Sequence, residues 1–275
     1  MKLFALKDAA DRDGEILAVL SCYSAYGGRE REYYIDLPQG ADPWNVPLIL
    51  SSFAKRGRWT VGPEWSRRWV ESRVVPPSRQ NIGEVLRENA LDSYDELALL
   101  EATEGRNSQD SCFLEPLLPA ALPAWFAERE GCRVIEAVAL PGRRLLVAFK
   151  TGEVRVYCDD DLISAEEGVK RVFTRSETFA CVQVACGGRG VQWGSAVRVP
   201  DEALRRTGAL VPLSWSDLSC IVAETVVDAA ETAEMLGCTR QNVHALMRRG
   251  SLPAVKAGGK STLFLRADVR AREGV

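Results

Sequence analysis

Side chains capable of forked hydrogen bonding cluster near the C-terminus of this 275-residue sequence. Arg240-Gln241-Asn242 place a guanidinium and two carboxamides in consecutive positions, and His244 and Arg248 follow. Arginine can donate two hydrogen bonds to guanine, and glutamine or asparagine can pair with adenine in the same bidentate way. The residue types therefore suit contacts with base edges in a DNA major groove.

Two short helices are needed to present these side chains, and the sequence marks where each begins. Asp228 and Glu231 have the spacing of a capping box, in which each side chain accepts a backbone N–H at the start of a helix. Gly237 can end that helix because glycine enters the left-handed backbone region at little cost. Thr239 is a suitable cap for the next one. The pattern predicts two helices joined by a tight turn.

The second helix has an apolar face and a polar face. Val243, Leu246 and Met247 recur at i, i+3 and i+4 and should be buried together, and Gly250 can end the helix. In a helix-turn-helix the second helix enters the major groove, with its N-terminal residues at the bases. The predicted DNA-binding residues, including two lysines discussed next, are Thr239, Arg240, Gln241, Asn242, His244, Arg248, Lys256 and Lys260.

A β wing is predicted after these helices. Residues 252–256 and 263–266 have strand character, with Gly258-Gly259 as the turn between them. Lys256 and Lys260 lie near the tip, where they could meet phosphates. Residues 268–272 are predicted to form a last short helix.

Charge separates this segment from the rest of the chain. Residues 226–275 hold eight Lys or Arg against five Asp or Glu, a net charge of +3. Because the whole chain carries −3, the preceding residues carry −6. A basic module on an acidic body favours a polyanionic partner.

Residues 226–270 resemble the excisionase-type winged helix-turn-helix, which is related to the MerR group. The resemblance is carried by AETAEMLGCTRQNVHALMRRGSLPAVKAGG and by the Asp268-Val269 pair. It implies binding of double-stranded DNA, with Arg240, Gln241, His244 and Arg248 on the groove side. The alternative is a small helical packing module that binds protein.

The length predicts about two domains, with three possible, and the mixture of helix and strand patterns predicts an α+β fold. The chain is 46% hydrophobic and 27% charged, as in ordinary globular proteins. It has no apolar run near the roughly 18 residues that a membrane helix needs, and its N-terminus turns acidic too early for a signal peptide. A cytoplasmic protein is expected. The predicted domains are residues 1–118 (α+β), 130–210 (a small β-meander and α domain) and 226–275 (the winged helix-turn-helix).

The first 118 residues predict a hairpin followed by helices. Residues 16–23 and 32–37 have strand character around Gly27-Gly28, and Asp42-Pro43 is predicted to open a helix. The expected apolar face of that helix is Val46, Ile49, Leu50 and Phe53. Ser78 and the Asp92-Ser93 pair are predicted caps of two further helices.

Residues 55–87 interleave tryptophan with arginine. Such a mixture can bind nucleic acid, but it is also typical of arginine stems that cover tryptophan rings in a packed domain. Packing is favoured here, with nucleic acid as a secondary possibility. SRQNIGEVLRENAL partly repeats TRQNVHALMRRGSL, which leaves a second helix-turn-helix as a weaker alternative.

Residues 116–130 contain three prolines and suggest a boundary, with a short helix at 122–128. Strands are then predicted at 133–140, 145–150 and 154–157 as a meander, with another at 179–185. Asp159-Asp160-Asp161 favours a helix start over a metal site because the ligand ladder of a calcium loop is missing. Gly187-Gly188-Arg189-Gly190 predicts a hairpin turn, and residues 200–206 a helix.

Residues 130–210 resemble a small bacterial domain of unknown function, the family numbered 2442. FKTGEVRVYCDDDLIS, GGRGVQWG and the helix beginning Pro200-Asp201 carry the resemblance. Members of that family are often fused to a C-terminal helix-turn-helix, and some look like antitoxins. The resemblance implies an α+β fold and no established activity.

The sequence offers no arrangement for catalysis or metal binding. Its single histidine lies in the predicted DNA-facing helix, and its eight cysteines include no C-x-x-C pair. Buried free thiols are expected, with no cofactor, no metal and no enzymatic activity.

Residues 211–225 are apolar enough to predict a packed connector that could also contact a second subunit. The favoured hypothesis is a bacterial DNA-binding regulator acting as a homodimer. The alternative is a protein-interaction module, such as an antitoxin that masks a small toxin and regulates its own synthesis.

Overall fold

The computed structural model describes residues 1–11, 14–24, 31–258 and 261–272. Helices and strands are mixed along the chain, and the described strands form four separate sheets. The predicted α+β fold is therefore confirmed. In the described part of the chain, no helix combines the length and apolarity that a membrane crossing requires.

An antiparallel sheet forms the centre of the N-terminal unit. Its spatial order is β4-β3-β2-β1-β5. The strands are β1 (Lys2–Asp8), β2 (Ala18–Ser24), β3 (Arg31–Asp36), β4 (Thr60–Val61) and β5 (Cys112–Pro116). Val19 lies opposite Asp36 in the β2–β3 pair, which confirms the predicted strand pairing. The predicted Gly27-Gly28 turn lies outside the described residues.

Four helices accompany this sheet: α1 (Leu48–Lys55), α2 (Pro63–Glu71), α3 (Ile82–Glu88) and α4 (Glu96–Ala102). The predicted apolar face is confirmed for Ile49, Leu50 and Phe53 of α1, which contact the core, whereas Val46 is buried but precedes the helix. The predicted start at Asp42-Pro43 is wrong. In a helix begun there, the ring of Pro47 would clash with the carbonyl four residues earlier, so α1 starts after Pro47 instead.

The two other predicted caps of the N-terminal unit are also wrong. Ser78 lies in a turn closed by the Arg79 N–H and the Pro76 carbonyl, ahead of α3. Asp95, not Asp92-Ser93, caps α4 by accepting the Ala98 N–H at 2.9 Å. A distant partner explains that choice, because Arg31 donates from both Nη atoms to the same carboxylate at 2.7 Å.

The favoured packing of the arginine–tryptophan region is confirmed for Trp69 and Arg73, whereas Arg56, Arg58, Trp65 and Arg68 are exposed. Trp69 is buried and the Arg73 guanidinium lies 4.6 Å from its ring centroid. Arg73 also donates to the carbonyls of Gly105 and Cys112 and pairs with Asp110. Buried pairing of this kind accounts for the arginine at this position without a nucleic acid.

Residues 116–131 do not form an open linker. A 3₁₀ turn at Pro119–Ala121 leads into α5 (Ala124–Gly131), which confirms the predicted short helix. Phe126 is fully buried against Leu3 and Val19 of the N-terminal sheet. The segment therefore packs as part of the N-terminal unit.

The predicted meander forms the middle unit. β6 (Val134–Leu140), β7 (Arg144–Phe149) and β8 (Val154–Tyr157) are consecutive antiparallel strands, and β12 (Ala209–Leu210) extends them. A second sheet has the order β11-β10-β9. It contains β9 (Gln183–Val184), β10 (Gly190–Trp193) and β11 (Val197–Pro200). The Gly187–Gly190 stretch joins β9 to β10, so the predicted hairpin turn is confirmed.

The helices of the middle unit are α6 (Asp159–Ala165), a 3₁₀ helix (Glu167–Thr174), α7 (Ser176–Ala180) and α8 (Asp201–Arg206). The triple-aspartate helix start and the helix at 200–206 are confirmed. Of the strand predicted at 179–185, only β9 (Gln183–Val184) forms. Phe179 lies in α7 instead, because its ring stacks between Phe173 and Trp193, with centroids 5.5 and 6.0 Å away.

The connector to the C-terminal domain is the helix α9 (Trp215–Thr225). Ser214 and Asp217 form a capping box that fixes its first turn. None of its side chains is buried, and Ile221 and Val222 are 45% and 57% exposed. The prediction of a packed connector is therefore wrong for the single chain, although the amphipathic helix itself is present.

The C-terminal domain has its own small core of Val227, Ala233, Val243, Leu252, Phe264 and Val269. Its elements are β13 (Val226–Asp228), α10 (Ala229–Met235), α11 (Arg240–Arg248), β14 (Ala254–Lys256), β15 (Leu263–Leu265) and α12 (Arg266–Arg270). The wing strands β14 and β15 pair as predicted, and α12 begins slightly earlier than predicted. The sequence did not reveal β13, which pairs with β15 on its other edge.

Candidate nucleic-acid interface

The first helix of the pair, α10, is fixed at its start by the predicted capping box. Asp228 Oδ1 accepts the N–H groups of Ala230 and Glu231 at 2.7 and 2.9 Å, and Glu231 Oε2 accepts the Asp228 N–H at 2.9 Å. The N–H donors of Glu231 and Ala230 lower the pKa of the Asp228 carboxyl because they stabilise its charged form. This carboxylate therefore fixes the start of α10 directly after β13.

The turn between α10 and α11 sets the angle between these two helices. Gly237 has a φ of 58°, and the Cys238 N–H donates to the Ala233 carbonyl at 2.9 Å. Thr239 then caps α11 by accepting the Asn242 N–H at 3.3 Å. Both predicted features, the glycine stop and the threonine cap, are confirmed.

The inner face of α11 anchors the helix. Val243 is fully buried, and Leu246 and Met247 pack partly buried against the same core. At the far end Gly250 has a φ of 70°, and the Ser251 N–H reaches back to the Leu246 carbonyl at 3.0 Å. Since both ends and one face are held, the opposite face is presented in a fixed orientation.

The outer face of α11 carries the predicted DNA-binding residues. Thr239, Arg240, Gln241, Asn242 and Arg248 are exposed, and His244 is half-buried. With 3.6 residues per turn, the stripe opposite Val243 consists of Gln241, Ala245 and Arg248. His244 and Asn242 flank that stripe on opposite sides, and Arg240 lies beyond His244 at the helix start.

The wing places Lys256 on the exposed surface of the domain. Lys256 is exposed at the end of β14, opposite Leu263 across a register irregularity. Gly258 follows with a φ of 102°, which favours glycine at the predicted turn. Lys260, the other predicted wing lysine, lies outside the described residues.

Most of the positive charge on this surface has no ion-pair partner, although the charge of Arg240 contributes to lowering the pKa of the Asp228 carboxyl. Among the described residues, no carboxylate lies within 4.0 Å of the charged groups of Arg240, Arg248, Arg249 or Lys256. Arg249 is exposed directly after α11 and was missed by the sequence reasoning, although the Arg248-Arg249 pair signals it. Unpaired cations on one face are suited to a polyanion.

The cysteines and acidic residues give no sign of another kind of site. All eight cysteines are free, but the predicted burial holds only for Cys22 and Cys112, since Cys158, Cys181 and Cys220 are exposed. Within the described ranges, no group of three or more His, Cys, Asp or Glu side chains is arranged to hold a metal ion.

Comparison with known proteins agrees with this geometry. Residues 226–272 match the family model described as a helix-turn-helix domain. The C-terminal domain is thus a helix-turn-helix, a class of module that binds DNA. No curated protein and no solved structure matches the chain. The family match does not extend to residues 130–210, whose resemblance to the unknown-function family remains a prediction.

Proposed function

We propose that this protein is a bacterial, cytoplasmic transcriptional regulator that binds double-stranded DNA through its C-terminal domain. The observation that carries the proposal is α11, whose Thr239 cap and buried Val243 hold a polar face outward. A helix presented in this way, with uncompensated cations beside it, fits a major groove.

The positions on α11 suggest a division of roles. Gln241 and Arg248 lie on the stripe that would enter the groove, with His244 beside it, and the small side chain of Ala245 permits close approach to the bases. Arg240 and Asn242 would reach base edges from the sides of the helix start, and Thr239 would lie near a phosphate. Lys256 and Lys260 would meet phosphates from the wing, where contacts position the protein without specifying sequence.

One such domain contacts few phosphates, so useful affinity favours a homodimer on paired half-sites. The uncovered helix α9 supports this view. An isolated helix of this length is marginal in water, and its apolar stripe needs a partner surface. Trp215, Leu218, Ile221 and Val222 share that stripe, directly ahead of the DNA-binding domain.

Residues 1–225 would supply control in this scheme. Their net charge is −6 while the last fifty residues carry +3, so the body repels DNA and suits a protein partner. The second candidate, an antitoxin, follows from the same charge, because an acidic body could mask a small basic toxin. A short neighbouring gene for a basic protein that co-purifies with this chain would favour that candidate.

DNA binding by the full-length protein tests the proposal. Fluorescence anisotropy would compare DNA from the gene's own upstream region with a scrambled duplex at two salt concentrations. Specific binding that weakens steeply with salt is expected. Absence of binding to either duplex at low salt would overturn the regulator and leave the domain as a protein-contact module.

A further inference from the structure

The N-terminal unit carries an exposed apolar surface that the DNA-binding proposal does not use. Trp44 is 83% exposed and Leu48 is 89% exposed. Leu50 and Ala54 occupy the buried side of α1, so Leu48 lies on its outer side. Exposed side chains of this size that lie together commonly mark an interaction site.

This surface continues from α1 onto α2 and is bordered by cations. The Phe53 and Trp65 ring centroids are 6.0 Å apart, and Trp65 is itself 43% exposed. We call it the α1–α2 patch: the exposed Trp44, Leu48 and Trp65, with the half-buried Phe53 in contact with Trp65, and Lys55, Arg56, Arg58 and Arg68 around them.

Cations hold the two tryptophans of the patch in place. Lys55 Nζ lies 4.7 Å from the centroid of the Trp44 ring, and the Arg68 guanidinium lies 4.7 Å from that of Trp65. Such contacts stabilise even at exposed sites. They also occupy one face of each ring, so these faces are not free to stack on nucleic-acid bases.

The charge of the patch is opposite to that of its surroundings. Residues 1–131 contain 15 Lys or Arg and 21 Asp or Glu, a net charge of −6. Residues 44–68 contain five Lys or Arg and one glutamate, a net charge of +4. In the part of the chain that the structure describes, exposed Arg56 and Arg58 have no carboxylate within 4.0 Å. Positive charge is thus concentrated where the apolar side chains are exposed.

We propose that the α1–α2 patch is the docking site for an acidic segment of a partner protein that inserts aliphatic or aromatic side chains. Tryptophan and arginine are the residues most enriched at binding hot spots, and charge complementarity would steer an acidic partner to this face. Leu48 favours protein over nucleic acid, because an aliphatic side chain gains nothing from phosphates. The inference does not rest on DNA binding.

The test uses full-length protein and a synthetic peptide of about 15 residues, with Leu and Phe at i, i+3, i+4 and i+7 among Asp and Glu. Two control peptides are matched to it. In the first, Lys replaces every Asp and Glu; in the second, Ser replaces every Leu and Phe. Of the three peptides, calorimetry should detect binding only of the acidic apolar one. Its affinity should fall as the salt concentration rises. Trp44→Ala and Leu48→Ala should each reduce affinity about tenfold or more. Leu118→Ala, at an exposed leucine of the same unit outside the patch, should not.

A charge-reversal variant tests whether the positive charge of the patch selects the acidic peptide. The double variant Arg56→Glu/Arg58→Glu should lose the acidic peptide and gain affinity for the lysine peptide. Failure of the acidic peptide to bind, or binding that Trp44→Ala leaves unchanged, would overturn the proposal. Trp44-dependent binding of single-stranded oligo(dT), or of phosphatidylglycerol vesicles, without peptide binding would also overturn it. Arg240→Ala should leave peptide binding unaltered, which separates this test from that of the DNA-binding proposal.

Discussion

Arg189 donates a hydrogen bond from Nη2 to Oδ2 of Asp36 at 2.6 Å, and both side chains are buried. This pair joins the β9–β10 loop of the middle unit to β3 of the N-terminal unit. Arg189 also donates to the Ser21 and Tyr23 hydroxyls at 2.9 and 3.2 Å. A Cβ atom on Gly187 would lie 2.3 Å from the Tyr23 ring, so the loop needs glycine to approach this closely. The predicted hairpin turn is therefore also a docking element.

Removing one member of this pair should destabilise the protein strongly. Arg189→Met leaves the Asp36 carboxylate buried without its main partner, and breaking a buried pair typically costs about 3–5 kcal/mol. Urea unfolding at neutral pH measures the free energy of unfolding. Arg106→Met, which breaks the exposed pair with Glu104, is the matched control and should cost less than about 1 kcal/mol. Equal losses in the two variants would contradict the importance of the buried pair.

The same pair predicts a pH dependence of stability. Burial by itself raises the pKa of Asp36, but the charge and hydrogen bond of Arg189, with the charges of Arg133 and Arg129, outweigh it and hold that pKa below its ordinary value. The folded-state pKa is thus depressed, so the stabilisation is complete above the unfolded-state pKa of about 3.9. It is lost as the pH falls through the lower folded-state pKa.

Comparison of wild type with Asp36→Asn isolates this contribution. The difference in unfolding free energy should stay constant from neutral pH to about pH 5 and narrow below about pH 4. Urea unfolding followed at several pH values gives the measurement. A difference that narrows between pH 6 and 8 would show that another group is responsible.

Local signals in the sequence were sufficient for the C-terminal domain. Asp228, Gly237 and Thr239 each act through neighbours within a few positions, so the residue types alone predict the caps and the turn. The buried face of α11 follows from the spacing of its apolar residues. Among the strands and helices of this domain β13 was missed, because three residues give too short a pattern and their pairing depends on a strand far along the chain.

Long-range contacts explain why the sequence-based predictions were wrong or incomplete in the rest of the chain. Asp95 caps α4 in preference to Asp92 while paired with Arg31, which is 64 residues away. Arg189 and Asp36 are 153 residues apart, and no local pattern connects them. The uncovered stripe of α9 could not be foreseen either, because its apolar spacing is the same whether or not a partner surface exists in the chain.

Arg240 should contribute to sequence-specific binding. If Arg240 contacts a base, Arg240→Ala should weaken the binding free energy for the operator by about 1–3 kcal/mol. The binding free energy for scrambled DNA should change much less. Anisotropy titrations with the two duplexes give both values. Arg270→Ala, an exposed arginine of α12 in the same domain, serves as the control. Equal losses on both duplexes would remove Arg240 from the base-contacting residues.

The wing lysines should act on all DNA alike. Lys260→Ala and Lys256→Ala should each weaken operator and scrambled DNA to the same extent, because a phosphate contact carries no sequence information. Each should lower the slope of log affinity against log salt by about one unit. Titrations at four or more salt concentrations measure that slope. Loss confined to the operator would assign the lysine a base contact instead.

The apolar stripe of α9 should hold two copies of the chain together. Val222→Asp places a charge on that stripe, where a partner helix would have to bury it. Sedimentation equilibrium should then show monomer under conditions where the wild type is dimeric, and operator affinity should fall because paired half-sites are no longer held together. Ala223→Asp introduces the same charge on the opposite side of the helix and should leave the dimer intact. If both variants remain dimeric, the dimer contact does not involve the apolar stripe of α9. If both dissociate, the stability of the helix, and not its apolar stripe, controls dimer formation.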